Sequence, residues 1–164
     1  MTAPVIQIAV TSHATQVISQ SPDWPVEDNG EKVSNLPVYK TEGAACADVR
    51  AIDSVTVSPG HKALVGTGLR VAIPEGWEIV IRPRSGLSAN FSGGLRVHEG
   101  TIDSDYRDEV MVMLFNHSDS VIKIPRGTRV AQFKVQEAVQ AQFEVIADLG
   151  ETERLGGFGS TGEV

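Results

Sequence analysis

The sequence predicts an all-β sandwich or barrel, because short runs of branched and aromatic residues recur at close spacing and turn-forming residues separate them. Evenly spaced short strands are typical of these two architectures. The predicted strands are residues 55–57, 63–65, 68–73, 77–82, 109–116, 121–124, 129–135 and 141–146. Proline, glycine or Asx turns break the chain at 58–60, 73–76, 116–119 and 125–127. Only 85–91 and 136–139 could form a helical turn, and both are too short for a stable isolated helix.

Size and composition restrict the class of protein. The 164 residues fit one domain with a real core. The single cysteine, Cys46, excludes an internal disulfide and a multi-cysteine zinc site, which predicts a reducing, cytoplasmic location. The formal charge of −7 should repel nucleic acid and anionic lipid, and the apolar run near the N-terminus is too short and polar to span a bilayer. A phosphate-bearing ligand therefore needs a local arginine cluster, which suits a small nucleotide.

Two segments stand apart from the strand pattern. Residues 11–32 are polar and turn-rich and predict a surface excursion, with binding of a protein partner as the functional alternative. Residues 156–162 hold four glycines in seven positions, which cannot build a core. The sequence thus predicts a β domain over 1–149 and a flexible arm over 150–164.

The arm carries groups that suit a planar base joined to phosphates. Phe158 offers a ring, Ser160 and Thr161 offer hydroxyls, and Arg154 offers a cation. A P-loop is excluded, because the arm lacks the Lys-Ser/Thr pair and the helix that follows it. A solvated tail without a ligand is the structural alternative.

Residues 82–88 (RPRSGLS) follow directly on a predicted strand. Two guanidiniums, a hydroxyl and an unhindered glycine N–H at a strand end bind phosphate well. The alternative is a basic turn in which Pro83 ends the preceding strand.

Residues 100–109 (GTIDSDYRDE) place four carboxylates and a tyrosine beside an apolar strand. One carboxylate could deprotonate a water, or a pair could hold a divalent metal. Strict alternation puts Asp103, Asp105 and Arg107 on one face, so the pattern does not choose the working carboxylate. An acidic edge that discourages aggregation is the alternative.

Two polar residues stand in apolar surroundings. Asp48 lies among small residues, and Gln132 lies in an apolar strand. Each side chain either has its hydrogen bonds satisfied within the core or points at a ligand.

Five segments taken in order resemble the motifs of trimeric dUTPases. They are 43–49 (GAACADV), 83–87 (PRSGL), 100–107 (GTIDSDYR), 127–132 (GTRVAQ) and 154–162 (RLGGFGSTG). The resemblance covers the chain from residue 35 onward. It implies a jelly-roll-like fold and a homotrimer with C-terminal arm exchange. It also implies Mg²⁺-dependent hydrolysis of dUTP to dUMP and pyrophosphate, which limits uracil in DNA and supplies dUMP for thymidylate synthesis.

The resemblance also implies a role for individual residues. Asp103 would orient the water that attacks the α-phosphorus, and the ring of Tyr106 would pack under the deoxyribose. Main-chain groups of the hairpin would read uracil. The residues at and bordering this nucleoside pocket would be Val97, Gly100, Thr101, Ile102 and Met111.

The remaining implied contacts are to the phosphates, the metal and the uracil ring. Asp48 would hold the Mg²⁺ shell through water. The phosphates would bind Arg84, Ser85, Gly86 and Gln132. The arm would close over a neighbouring subunit's site, with Phe158 stacking on uracil and the other arm residues, Arg154, Gly159, Ser160 and Thr161, on the terminal phosphates.

Three departures from the family pattern mark this chain. Arg154 stands one residue closer to the Gly-Gly-Phe than usual, Asp108 replaces the usual glycine, and residues 11–32 have no counterpart in the minimal pattern. The rival enzyme is a dCTP deaminase of the same superfold, which usually has Phe at the position of Tyr106. A regulatory module that binds dUTP as an effector, with 11–32 as partner surface, is the alternative from another class.

Overall fold

The computed structural model describes residues 3–27, 30–90 and 94–150. These ranges form ten strands and two helices: β1 Gln7–Val10, α1 Ser12–Gln20, β2 Ala47–Arg50, β3 Val55–Val57, β4 Lys62–Ala72, β5 Trp77–Arg82, α2 Ser85–Asn90, β6 Leu95–Val97, β7 Gly100–Ile102, β8 Glu109–Asn116, β9 Ile122–Ile124 and β10 Arg129–Glu137. Neither helix has the length and apolar content that a membrane crossing requires.

The strands form two four-stranded sheets and one two-stranded sheet, with antiparallel pairing throughout. The first sheet has the order β1-β4-β8-β6, the second has the order β2-β10-β5-β7, and β3 pairs with β9. Strands that are distant in sequence lie side by side in both large sheets. The chain therefore crosses repeatedly between sheets, which is typical of a jelly roll.

The main hydrophobic core is built by side chains of both large sheets. Val65 and Leu114 come from the first sheet, Val49 and Phe133 from the second, and all four are buried. β8 buries every second residue from position 110 to 116, which is the period expected of a strand with one face on a core. The predicted all-β class is confirmed.

The segment 11–32, which the sequence predicts to be a surface excursion, contains a helix and contributes to a small hydrophobic cluster. Residues 11–35, which we call the N-terminal cap, contain α1, and the side chain of Thr11 caps this helix by accepting from the N–H of Ala14 at 3.2 Å. Ala14 and Trp24 are buried with Ile52 in a second, smaller hydrophobic cluster. The indole of Trp24 donates to the carbonyl of Val33 at 2.9 Å. A single tryptophan between polar residues carries no periodicity, so the sequence did not predict this cluster.

The cap is held on β4. Gly68 of β4 has a φ of 70°, and a Cβ there would overlap the methyl of Ala14, so only glycine lets helix and strand approach this closely. The side-chain amide of Asn35 donates to the carbonyl of Thr67 at 2.7 Å. These contacts fix the cap against the first sheet.

The predicted strands at 55–57, 77–82 and 109–116 are confirmed with the same bounds, and those at 121–124 and 129–135 differ at one end. The predicted runs 63–65 and 68–73 form the single strand β4, whose register with β8 shifts between Gly66 and Arg70. The helical turn predicted at 85–91 is present as α2. The one at 136–139 is wrong, because β10 continues through Glu137.

The predicted strand at 141–146 is also wrong within the described chain, where residues 138–150 form no helix or strand. Phe143 is 98% exposed and Val145 is 100% exposed. The segment has the composition of a strand, but no described strand pairs with it. Four strands that the sequence analysis did not name, β1, β2, β6 and β7, are only three or four residues long.

Candidate active site

Asp48 of β2 is the centre of a buried polar cluster, which we call the Asp48 cluster, and is 8% exposed. Arg84, just beyond β5, donates through Nε to Oδ1 at 2.7 Å and through Nη2 to Oδ2 at 3.3 Å. From β10, Arg129 donates to Oδ2 at 2.8 Å and Gln132 donates to Oδ1 at 3.4 Å. A two-pronged arginine contact of this kind fixes both groups in orientation as well as position.

A β-bulge in β10 makes this convergence possible. Arg129 and Gln132 are three positions apart, so strict alternation would put them on opposite faces of the sheet. The register between β10 and β2 shifts between Arg129 and Ala131. Because a bulge re-aims the side chains that flank it, both residues reach the same carboxylate.

The electrostatics of the cluster favour an anion. Burial by itself raises the pKa of the Asp48 carboxyl, because it disfavours the charged form. The hydrogen bonds and charge of Arg84, helped by hydrogen bonds from Arg129 and Gln132, lower the pKa by more than burial raises it. The net pKa of Asp48 therefore lies below its usual value. Burial, followed by the charge of Arg129, lowers the pKa of Arg50. Arg50 lies within electrostatic reach of both Asp48 and Glu27, so three guanidiniums face two carboxylates and positive charge is in excess.

The chain after Arg84 leaves donors open to solvent. Arg84 also donates through Nη1 to the carbonyl of Arg129 at 3.0 Å, which holds its guanidinium at the cluster. Ser85 and Gly86 are exposed at the start of α2, while Leu87 anchors this helix in the core. Apart from its own helix and chain neighbours, no atom of the described residues lies within 4 Å of the position that a Cβ of Gly86 would take, so a ligand could approach its backbone.

The hairpin residues divide between the two sheets. Val97 of β6 is buried in the first sheet, where Met111 of β8 is 37% exposed. Gly100, Thr101 and Ile102 form β7, the edge strand of the second sheet beside β5. The chain therefore turns from one sheet to the other between positions 97 and 100, and the outer edge of β7 keeps main-chain groups that no described strand pairs.

Asp103 and Tyr106 follow β7. Tyr106 packs its ring against the main core, and its hydroxyl donates to the carbonyl of Glu109 at 2.7 Å. Burial, together with the negative charges of Asp108 and Glu109, raises the pKa of Tyr106. Asp103 is exposed and lines a wide polar cavity of about 590 Å³ together with Glu78 and Ala138. Its carboxylate can therefore contact water.

Within one chain, Asp103 lies far from the Asp48 cluster. β2, which carries Asp48, is three strands away from β7, which leads into Asp103. Gln132 pairs with both Asp48 and Arg82, whereas Asp103 lies beside Glu78, about four residues away along β5. At about 3.3 Å per residue and about 4.8 Å per strand, the separation is roughly 20 Å. One small ligand cannot contact both groups of the same chain.

Sequence reasoning missed Arg129 and Arg50 as members of the Asp48 cluster. Arg129 lies inside the segment 127–132 that was singled out, but a single sequence does not show that a bulge turns it toward Asp48. Arg50 donates to the carbonyl of Gly127 at 2.6 Å. The expected arm residues, Arg154, Phe158, Gly159, Ser160 and Thr161, lie outside the described residues.

The described residues do not form a direct ligand set for Mg²⁺. Nowhere in 3–27, 30–90 and 94–150 do three His, Cys, Asp or Glu side chains come close enough to hold a metal ion. Both oxygens of Asp48 already accept from guanidiniums, and the surrounding positive charge disfavours a bare cation. Contact between Asp48 and a metal would have to pass through water.

Comparison with known proteins identifies relatives of this chain. The model of the dUTPase family matches residues 32–162. A deoxyuridine 5'-triphosphate nucleotidohydrolase of Roseobacter denitrificans is 50% identical over 139 residues, which are 82% of this chain and 91% of the relative. The enzyme of the same name from an Anaeromyxobacter species is 48% identical over 128 residues, 77% of this chain and 87% of the relative.

Solved structures share the fold at lower identity. The dUTPase of Staphylococcus bacteriophage 80alpha, in a variant with dUpNHpp, has a TM-score of 0.78 and 20% identity, and the match covers 98% of this chain and 99% of that one. A variant of the dUTPase from Staphylococcus aureus phage phi11, described for its coordination of a structural Mg(II) ion, has a TM-score of 0.70 and 18% identity over 88% of this chain and 98% of that one. These matches confirm the jelly-roll-like architecture.

Proposed function

Because the chain belongs to the dUTPase family, we propose that it is a dUTP diphosphatase, which hydrolyses dUTP to dUMP and pyrophosphate. In the cell, this reaction limits the incorporation of uracil into DNA and supplies dUMP for thymidylate synthesis. The geometric observation that carries the proposal is the Asp48 cluster, in which the guanidiniums of Arg84 and Arg129 converge on one carboxylate beside Ser85 and Gly86. We place this reaction in the cytoplasm, in keeping with the single cysteine.

The Asp48 cluster is the proposed phosphate side of the site. Asp48 holds Arg84 and Arg129 in place before any ligand binds. The triphosphate then contacts the free donors of Arg84 and the open backbone and hydroxyl at Ser85 and Gly86, with Gln132 beside them. These groups offset negative charge on the phosphates during attack.

Asp103 is the proposed general base. Its exposed carboxylate orients a water and accepts its proton while the water oxygen bonds to the α-phosphorus. The bond from the α-phosphorus to the bridging oxygen breaks in line, and pyrophosphate leaves. The ring of Tyr106 packs under the deoxyribose, and β7 reads uracil through main-chain groups, with Val97 and Met111 at the border of this pocket.

The active form is proposed to be a homotrimer. Asp103 and the Asp48 cluster of one chain are roughly 20 Å apart, so one dUTP can contact both only if different copies supply them. The segment 138–150 supports such contacts, because the side chains of Phe143, Val145 and Leu149 are 90–100% exposed in the single chain. Large apolar side chains at such exposure favour burial against another copy.

The C-terminal arm, residues 150–164, is proposed to close over a neighbouring copy's site. Phe158 would stack on uracil, and the remaining arm groups would bind the terminal phosphates, namely Arg154, Gly159, Ser160 and Thr161. The contacts with the ligand would offset the ordering cost of a segment so rich in glycine. Closure would separate the site from bulk solvent.

Mg²⁺ is the proposed cofactor. The described residues offer it no direct ligand set, so we expect it to arrive with the triphosphate and to meet Asp48 through water. When bound, the ion supplies charge neutralisation on the phosphate oxygens.

Pyrophosphate release from each deoxynucleoside triphosphate, measured with Mg²⁺ and with EDTA, tests the proposal. We expect release from dUTP alone and only with the metal. The reaction with dTTP tests whether the site excludes the thymine methyl. The reaction with dCTP is also assayed for ammonia. Ammonia from dCTP, or equal release from dTTP, would contradict the assignment.

A further inference from the structure

We propose that the N-terminal cap is a positioning element that holds Arg129, and through it Arg84, in the geometry that binds the triphosphate. The proposal rests on the proposed function, because Arg84 is the proposed phosphate ligand. It assigns Arg126 as a positioning residue, one that touches no substrate. The cap begins outside the family match, which starts at residue 32.

The cap contacts the turn between β9 and β10 through three of its residues. Arg126, in this turn, donates through Nη1 to the hydroxyl of Ser21 at 2.6 Å. Its Nε lies 3.4 Å from Oδ2 of Asp23, an ion pair without the alignment of a hydrogen bond. The ring of Pro25 lies against Gly127, where a Cβ would overlap it, and Gly127 has a φ of 75°. Two neighbouring residues of the turn are thus fixed by three residues of the cap.

The same turn leads directly into the Asp48 cluster. Gly127 donates to the carbonyl of Ala51 at 2.7 Å and accepts from Arg50 at 2.6 Å. Arg129 follows two residues later and contacts the cluster twice, because its side chain donates to Asp48 and its carbonyl accepts from Arg84. A displaced turn would therefore move a donor to Asp48 and an acceptor for Arg84 together.

The bulge explains why the turn needs external support. Arg129 pairs with Arg50, but the register of β10 against β2 shifts just after it, so the continuous part of this ladder begins only at Ala131. The cap adds a second set of contacts at the turn that precedes Arg129. It is rigid enough for this purpose, since Trp24 is 2% exposed and Lys32 donates to three carbonyls at the end of α1.

The cap also connects the two sheets. Its helix lies against β4 of the first sheet at Gly68, and its Pro25 contacts the turn that begins β10 of the second sheet. A distortion of the cap would therefore shift the end of β10 that carries Arg129. The second hydrophobic cluster, which we call the cap cluster, consists of Ala14, Val17, Trp24 and Ile52 and shares no buried residue with the main core.

The test compares Arg126→Ala with Asn116→Ala in the full chain. Asn116 is buried at the far end of β8, and its amide donates to the carbonyls of Val57 and Ser120, so its loss lowers stability without touching the turn. We expect both variants to lower the melting temperature. Only Arg126→Ala should raise the KM for dUTP and the Kd for dUpNHpp, by about tenfold, with kcat within about twofold of the parent.

Two milder variants keep the test available if Arg126→Ala does not fold. Arg126→Lys retains the charge and one donor and should give a KM between those of the parent and the alanine variant. Ser21→Ala removes one hydroxyl from the cap and should raise KM by about threefold. A fall in melting temperature with unchanged KM and Kd in these variants would show that the cap only stabilises the fold, and the proposal would be overturned.

Hydrogen exchange separates this proposal from the proposed function. If the parent releases no pyrophosphate from dUTP, the proposed function fails, yet the amides of residues 128–132 still report on the cap. We expect exchange at these amides to accelerate by about tenfold in Arg126→Ala and to stay unchanged in Asn116→Ala. Equal protection in the parent and Arg126→Ala would contradict a positioning role.

Discussion

The Asp48 cluster and the hairpin that carries Asp103 present a carboxylate in opposite ways. Asp48 is 8% exposed and accepts hydrogen bonds from three side chains. Asp103 is exposed, and no side chain in the described ranges donates a hydrogen bond to it. Asp48 lies on β2 and Asp103 directly follows β7 of the same sheet. Their environments therefore differ because of the side chains around each carboxylate.

The difference shows how one fold uses the same functional group twice. A desolvated carboxylate needs its partners before any ligand arrives, because an unpaired buried charge is strongly destabilising. A carboxylate that takes a proton from water must keep an oxygen free. With the roles that we propose, the Asp48 cluster is complete in the folded chain, whereas Asp103 keeps its carboxylate free for the attacking water.

The largest expected effect comes from removing the free carboxylate. Asp103→Asn should lower kcat by about a thousandfold, because the amide cannot accept the proton of the attacking water. Unfolding in urea should give the parent midpoint, since no described side chain depends on Asp103. Steady-state pyrophosphate release and dUpNHpp binding measure the two consequences separately.

Asp105→Asn is the matched control for this variant. Asp105 is exposed two positions further along the same hairpin and lines the same cavity as Asp103. Its kcat should stay within about twofold of the parent. A loss in Asp105→Asn equal to that in Asp103→Asn would remove the distinction between the two carboxylates.

Replacing the buried carboxylate of Asp48 should mainly lower stability, whereas replacing that of Asp103 should mainly lower kcat. Asp48→Asn leaves Arg84 and Arg129 without the charge that holds them, and we expect about 3 kcal/mol lower free energy of unfolding. The control is Asp53→Asn, which breaks the exposed pair with His13 at 2.7 Å and should cost below about 1 kcal/mol. Equal losses in urea unfolding would contradict the contrast between buried and exposed pairs.

A smaller effect is expected at Tyr106, three residues after Asp103. Tyr106→Phe removes the hydroxyl that donates to the carbonyl of Glu109 at 2.7 Å, which should lower stability by about 1 kcal/mol while the packed ring stays in place. Tyr39, the other tyrosine, is 53% exposed, so Tyr39→Phe should leave the unfolding midpoint where it was. Chemical unfolding of both variants is the measurement, and indistinguishable midpoints would argue against the hydrogen bond.

The smallest effect concerns acid pH. Because the folded pKa of Asp48 lies below its unfolded value, its contribution is complete above about pH 4 and is lost as the pH falls through the folded pKa. The difference in unfolding free energy between the parent and Asp48→Asn should thus stay constant from about pH 7 to 5 and shrink near pH 3. A difference that persists undiminished at pH 3 would show that charge is not what Asp48 contributes.

Strand periodicity made most of the β architecture predictable. Long runs such as 77–82 and 109–116 alternate or carry branched residues, and their bounds were found correctly. β2 was not predicted, because its four residues include alanine, aspartate and arginine and its partner strand, β10, lies far away in sequence. The segment 141–146 was wrongly predicted because composition reports what a chain could pair with, not whether a partner strand is present.

The site was predictable in its residue types and not in its assembly. The resemblance selected Asp48, Arg84 and Gln132, which the structure brings together, while Arg129 depends on a bulge that no local pattern announces. The cap was missed for a related reason. Its core consists of single apolar residues separated by turns, so Trp24 could be placed only by its contact with Ile52 across the chain.

Burial of Trp24 gives this protein its own optical reporter. The chain has two tryptophans, and Trp77 lies on β5 in the second sheet, away from the cap cluster. Replacing Trp77 with phenylalanine would leave one indole, dry and hydrogen-bonded to Val33. Its emission would shift to the red as soon as the first 35 residues detach, so quenching by iodide could time that detachment separately from melting of the β-sandwich.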